Sequence, residues 1–483
     1  MPQGIHSLKR ASTAMRTGLI AFPFLTKCCA HSFAPRLGSL RLFHASQQPY
    51  IESEVAPLKH NRLPRIHILG LGNVGGFIAH ALAGQAVPRP PPITLMLWMD
   101  EQLQEFEQCQ RRITVHRGGL PELKRGFDAE VLRDNVWHHV PKKTRGSASN
   151  PAADSEIIEH LILAMKPKHI RRALGLVKHR LTPHSTVVII HEGLGVEEEI
   201  NKNIFPDPET RPSYIFGTTS HELYQIDPFN IDHAEVGTCV FSVRYTNPEA
   251  KAAAEKAILE HQHSPPPANS GSDEDRERHR ELQAQYEETK INPAAQIWPS
   301  SSHYLLRTLT RNPQLVASAI PDVSLFQYQL EKAALASITG PLTVMFDTLH
   351  GDLLYNYHVT RVQRLLLIEI SAVICALPEL QGIPGIRSRF APDRLRTLAV
   401  SVTANSGKRI NPMLADVRYR QKTDIEYFNG YFVKKGEELG IKCALNYMMI
   451  QLVLAKQKTL VSQDFEDVPV VQEPKGGVGD DSL

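Results

Sequence analysis

Apolar residues in the first half of the chain come as short continuous runs, and each run stops at a glycine or a charged residue. Ile66 to Leu69 runs into Gly70, Ile93 to Met99 ends at Asp100, Ile157 to Met165 ends at Lys166, and Thr186 to Ile190 ends at His191-Glu192. Runs this short, without alternation, predict strands covered on both faces, as in a parallel sheet. Helical spacing separates them. Ile78, Ala79 and Leu82 share one face after the first run, and Pro167 to Leu181 is helix-compatible. Tyr214 to Tyr224 and His233 to Tyr245 read as short strands that finish the sheet, so the first domain closes near Tyr245. From Ser301 to about Gln463 the apolar residues return at helical spacing with few signs of strands, and Gly340-Pro341 is expected to break or bend one of the helices. The fold class predicted is α/β: an N-terminal Rossmann-type doubly wound sheet over 60–245, followed by an all-helical C-terminal domain over 301–463.

Three stretches fall outside this pattern. Residues 1–50 carry no acid but include Lys9, Arg10, Arg16, Lys27, Arg36 and Arg41 among Ser, Thr and small apolar residues, which is the pattern of a mitochondrial transit peptide and implies the matrix. The linker 249–300 holds a run of prolines, small residues and dense charge from His261 to Gln283, too poor in apolar groups to offset its ordering entropy, and reads as a disordered insertion. The tail, 464–483, is acidic and glycine-rich and reads as disordered.

Composition narrows the function without deciding it. A chain of 483 residues, 42% hydrophobic and 22% charged, holds two or three domains with real cores. A net charge of +3 is too small to argue for nucleic acid. The six cysteines include no CxxC pair and no zinc spacing, so they read as free thiols, and no metal site is indicated. The run Leu365 to Leu377 is interrupted by Glu369 and is too short to span a bilayer.

The chemistry begins at Gly70-Leu71-Gly72-Asn73-Val74-Gly75, between a strand and a helix. There Gly70 permits a tight turn, Gly72 lets a pyrophosphate approach the backbone, and Gly75 lets the helix pack close to the strand with its free N–H groups aimed at phosphate. An acid at the end of the second strand accepts hydrogen bonds from a ribose, whereas an arginine there favours a 2′-phosphate. Asp100 argues for NAD, Arg111 and Arg112 for a phosphate, and cofactor choice stays open on these residues. Lys166 and Glu192 both emerge at strand ends on the edge where ligands bind in this architecture.

In order and spacing the chain from Arg65 to Lys456, apart from its insertions, resembles the ketopantoate reductase (2-dehydropantoate 2-reductase) family. The resemblance rests on the glycine turn, Lys166, HEGLG at 191–195 where the family usually has QNGxG, FGTTSHE, the Glu331-Lys332 helix with its PLT, and TDIEYFNGY, similar to TEIDYINGY. It implies hydride transfer from NADPH to the keto carbon of ketopantoate, giving pantoate on the route to coenzyme A. Lys332 matches the family's general acid, Asp424 the acid that holds the substrate hydroxyl, and Lys166 a contact in the crevice. It also implies pairing as a homodimer through the helical domain. The sequence departs from the family at Glu192 (for Asn), at Ala336 and Gly340 (for asparagines), at Pro412 (for Ser), and at Trp98-Met99-Asp100, where an Arg is common. Each lost buried hydrogen bond costs about 1–3 kcal/mol. Two alternatives therefore stand beside ketopantoate reduction: a reductase of another 2-keto acid, and a family member kept as a mitochondrial binding or translation factor.

Overall fold

The structure is a computed structural model, and it describes residues 63–85, 89–141, 152–244, 300–405 and 407–466. The expected transit peptide, the insertion within 249–300 and the tail beyond 466 lie outside the described residues.

The strands are β1 (Ile66–Leu69), β2 (Ile93–Leu97), β3 (Ile113–Arg117), β4 (Leu120–Lys124), β5 (Asp128–Arg133), β6 (Val136–Val140), β7 (His160–Ala164), β8 (Thr186–Ile190), β9 (Ser213–Thr219), β10 (Glu222–Asp227), β11 (Asn230–Glu235), β12 (Cys239–Arg244) and β13 (Ala317–Ala319). Nine of them form one sheet in the order β13-β12-β9-β8-β7-β1-β2-β5-β6. From β9 through β5 the pairing is parallel throughout. Every residue of β1, β2, β7 and β8 is buried, as continuous apolar runs require of strands covered on both faces. The chain leaves β1 toward β2 on one side and returns to β7 on the other, so the crevice of this sheet opens beside β1.

One expectation needs correcting. Of the strands between 213 and 244, only β9 and β12 finish the large sheet. β10 and β11 leave it and join β3 and β4 in a separate four-stranded sheet, in the order β10-β11-β3-β4. The reason is visible in their side chains: β10 and β4 are largely exposed, and strands with a polar face cannot sit inside a sheet that is covered on both sides. This second sheet lies against helix α1 (Asn73–Ala83). A Cβ on Gly76 would meet Ile231 Cδ1 at 2.6 Å, and the Phe77 ring packs 5.0 and 4.8 Å from His221 and His233.

The remaining helices are α2 (Asp100–Gln108), α3 (Pro167–Val177), α4 (Val196–Asn203), α5 (Ser300–Thr310), α6 (Asp322–Phe346), α7 (Tyr357–Ala376), α8 (Ile386–Arg389), α9 (Pro392–Asn405), α10 (Pro412–Arg418), α11 (Asn429–Glu438) and α12 (Ala444–Glu466). A mixed-sheet domain is thus followed by a mostly helical region, as the predicted sheet domain and all-helical domain required in outline. Helix α5 nevertheless packs Leu305, Leu306 and Leu309 into the core of the large sheet, and β13 extends that sheet.

Helix α6 is the spine of the helical region, and Gly340-Pro341 does not break it: the helix is continuous for 25 residues. Proline removes the N–H that would bond the carbonyl four residues back, which is that of Ser337. Asn429, fully buried at the start of α11, donates its Nδ2 to this carbonyl at 2.9 Å. The Asn of the FNGY segment therefore repairs the backbone of the helix that carries Lys332.

Candidate active site

The glycine turn has the sterics its sequence implies. Gly70 has φ +96°, and a Cβ there would lie 2.5 Å from the Ala164 carbonyl oxygen. A Cβ on Gly75 would come within 1.9 Å of the Gly70 oxygen, whereas one on Gly72 meets nothing within 4 Å. Two glycines are thus required by the protein's own packing, and the third faces an open cradle at the N-terminus of α1. That cradle fits a pyrophosphate. Leu71 and Val74 pack partly buried on the sheet's core. Asn73 ties the second sheet down, donating to the Leu223 carbonyl at 2.7 Å and accepting from the Val74 N–H at 3.0 Å.

Because six strands are parallel, their carboxyl ends line one edge in the order Thr219, Glu192, Lys166, Gly70, Asp100, Arg133. Neighbouring strands lie about 4.8 Å apart, so this edge runs on the order of 24 Å.

Lys332, on α6, reaches the β8–β9 end of that edge. Its Nζ lies 2.6 Å from Glu192 Oε1, 3.2 Å from Thr218 Oγ1 and 3.0 Å from the Thr219 carbonyl. Burial alone would lower the pKa of this ammonium, but Glu192 and Tyr328 outweigh it and hold the group above the ordinary lysine value. Glu192 in turn is held below the usual carboxylate range, chiefly by the Lys332 charge. The negative charge that Glu192 brings in place of the family's Asn is therefore neutralised by the lysine. On the same loop, burial pushes His191 down to about 4, and its Nδ1 accepts the Gly193 N–H at 3.1 Å.

A second group forms around Lys166. Its ammonium is bound to Asp416 at 2.6 Å, Lys168 approaches the other oxygen of the same carboxylate at 3.4 Å, and Lys168 also donates to the Lys422 carbonyl. Asp424 is buried beside them with Oδ1 unpartnered, and burial raises its pKa against the pull of Lys168 and Lys166. No hydrogen bond or ion pair links Asp424 to Lys332. The two groups meet through the loop 191–195: a Cβ on Gly193 would lie 2.7 Å from both Pro167 Cγ and Tyr427 Cβ, and the Leu194 N–H donates to the Tyr427 carbonyl at 2.9 Å. The TDIEYFNGY segment is thus seated against the edge of the sheet. A cavity of about 280 Å³ lined by His191, Leu194, Phe216, Arg244, Asp322 and Phe326 flanks this loop without including Lys332 or Asp424.

Along α6, Ala336 and Gly340 follow Lys332 at four-residue intervals and so share its face. A Cβ on Gly340 would meet the Met413 side chain at 3.1 Å, and Pro412 is the first residue of α10, capped by Asn411. Neither Ala336 nor Gly340 carries a side-chain hydrogen-bond donor. Arg111 and Arg112 are not at the second-strand end: they follow the far end of α2, roughly 13 Å along a nine-residue helix. Arg133 stands at Asp100 instead, and sequence reading missed it because β5 carries no motif. Nothing local in the sequence signals the tasks of Asp416 and Asn429 either.

Two family models match the chain: that described as Ketopantoate reductase PanE/ApbA over residues 66–244, and its C-terminal counterpart over 324–457. The chain is 22% identical over 395 residues to a probable 2-dehydropantoate 2-reductase of Schizosaccharomyces pombe, covering 81% of this chain and 96% of the relative. It is 20% identical over 407 residues to the cytochrome B translational activator CBS2 of Saccharomyces cerevisiae, covering 82% and 96%. Among solved structures, that of D-mandelate dehydrogenase with NADH and anilino(oxo)acetate aligns at a TM-score of 0.51 and 15% identity, over 82% of this chain and 99% of that one.

Proposed function

Because the chain belongs to the ketopantoate reductase family, an oxidoreductase family, we propose that it reduces a 2-keto acid with a nicotinamide dinucleotide, NADPH and ketopantoate being the leading pair and pantoate the product. The observation that carries this reading is Lys332, brought by a distant helix to the edge that holds the glycine cradle and kept charged by Glu192. A bound dinucleotide supplies the hydride for the keto carbon. Gly70, Gly72 and Gly75 shape its pyrophosphate site, and the N–H groups opening α1 face it. Lys332 gives the proton to the oxygen that becomes the alcohol, while Thr218 and the Thr219 carbonyl orient its ammonium. Asp424, with its raised pKa and free oxygen, is the group for a substrate hydroxyl. The acid-free leader supports a place in the mitochondrial matrix.

A reductase of a different 2-keto acid is favoured by one observation: Ala336 and Gly340 on α6 and Pro412 on α10 bring no polar side chain to the positions where the family resemblance leads one to expect asparagines and a serine. The binding reading draws on the relative named as a translational activator and on the Lys332–Glu192 pair, which occupies the lysine. One experiment separates the three. Purified protein is given NADPH with ketopantoate, 2-ketoisovalerate or phenylglyoxylate, alongside Lys332→Ala. Oxidation on ketopantoate that falls about 10²- to 10⁴-fold in the variant supports the leading reading. Turnover only on another acid moves the substrate, and no turnover above the variant on any acid leaves the binding reading.

A further inference from the structure

The edge of the sheet carries one arrangement that the reductase reading does not use. Asp100 opens α2 just past the end of β2, and Arg133 is the last residue of β5, the adjacent parallel strand. The guanidinium grips the carboxylate as a fork: Nε lies 2.9 and 3.0 Å from the two oxygens, and Nη2 lies 2.5 Å from Oδ1. Both side chains are about half exposed (47% each), and a pair so exposed adds little to stability.

We propose that Arg133 is the residue that selects the cofactor: it binds the 2′-phosphate of NADPH from the end of β5, and Asp100 is the ribose-hydroxyl acceptor held in its fork. This rests on the dinucleotide reading above. An acid at the end of the second strand ordinarily favours NADH, because it accepts from the ribose and repels a 2′-phosphate. Here that acid is already neutralised. The fork uses Nε and Nη2, and Nη1 has no partner among the described residues, so a guanidinium nitrogen with two N–H groups is left for phosphate oxygens. A second positive charge stands near the same strand end: Arg172, on α3, places its guanidinium 6.0 Å from the centre of the Trp98 ring. The strand end proposed for the ribose, one strand from the glycine cradle, thus has the guanidiniums of Arg133 and Arg172 near the acids Asp100 and Glu101. Arg111 and Arg112, beyond the far end of α2, do not contribute.

The test is a binding titration of the full chain with NADPH, with NADH and with 2′,5′-ADP, read by nucleotide fluorescence or calorimetry and needing no turnover. Wild type should prefer NADPH and bind 2′,5′-ADP. Arg133→Gln should weaken NADPH and 2′,5′-ADP by about 10- to 100-fold, the loss of a charge-assisted hydrogen bond, and leave NADH within about twofold. Asp100→Asn should weaken NADH and spare NADPH. Melting temperatures close to wild type establish that the variants fold, as the exposure of both residues predicts. An NADPH-to-NADH ratio unchanged in Arg133→Gln overturns the assignment while the dinucleotide reading stands. Wild type that binds no nucleotide overturns both.

Discussion

At the β1 end of the crevice the turn is shaped by Gly70, Gly72 and Gly75, which are neighbours in sequence, and the atoms that fix two of them belong to the turn itself or to β7 beside it. Toward the β7, β8 and β9 ends, Lys332 meets Glu192 across 140 positions and Thr218 across 114, and Lys166 meets Asp416 across 250. The first end is built by sterics within one turn and against the strand beside it, and the second by side chains that several distant segments bring together. The difference carries over to chemistry. The cradle is open at Gly72, as a pyrophosphate would require, while at the other end Lys332, the proposed acid, is paired with Glu192, and Ala336 and Gly340 follow it on α6 without polar side chains.

The largest effect separates the two glycine roles. Gly75→Ala drives a Cβ into the Gly70 carbonyl, so the turn must move, and a loss of several kcal/mol of stability is expected in chemical denaturation. Gly72→Ala meets no protein atom, so its denaturation curve should match wild type while nucleotide affinity drops at least about tenfold. Matching losses in the two variants would break the claim that one glycine serves the protein and the other the ligand.

At the other end, Asn429→Ala leaves the Ser337 carbonyl without its donor, a cost of about 1–3 kcal/mol in stability. Because the damage lies beneath Lys332, turnover should fall while nucleotide affinity holds. Equal loss of both would mean that the two ends are one unit.

The smallest effect is a displaced pH profile. Glu192 helps raise the Lys332 pKa, so the ammonium keeps its proton to higher pH than an ordinary lysine. Glu192→Gln removes that support and lowers the lysine's pKa, so the alkaline limb of kcat should move to lower pH, with the acid limb unchanged. An unmoved alkaline limb would show that Glu192 does not set the lysine's charge.

Much of this was readable beforehand for identifiable reasons. β1, β2, β7 and β8 are continuous apolar runs because both their faces are covered, and the turn was legible because only glycine tolerates those contacts. Lys332 and Asp424 came from the family pattern and not from their surroundings. The second sheet escaped notice because β3, β4, β10 and β11 are short and partly polar, and β11 pairs with β3 across more than a hundred residues. The uninterrupted course of α6 through Pro341 escaped for the same reason: its donor, Asn429, is 92 residues away.

By itself the sequence determined the parallel core, the glycine cradle and the helical character of the second half, since each follows from apolar periodicity or from steric limits on neighbouring residues. Only the tertiary structure decided that Glu192 neutralises Lys332, that Asp416 holds Lys166, and that Arg133 stands at Asp100. Charges act through distance in space, and the fold alone sets how close residues far apart in the chain come to one another.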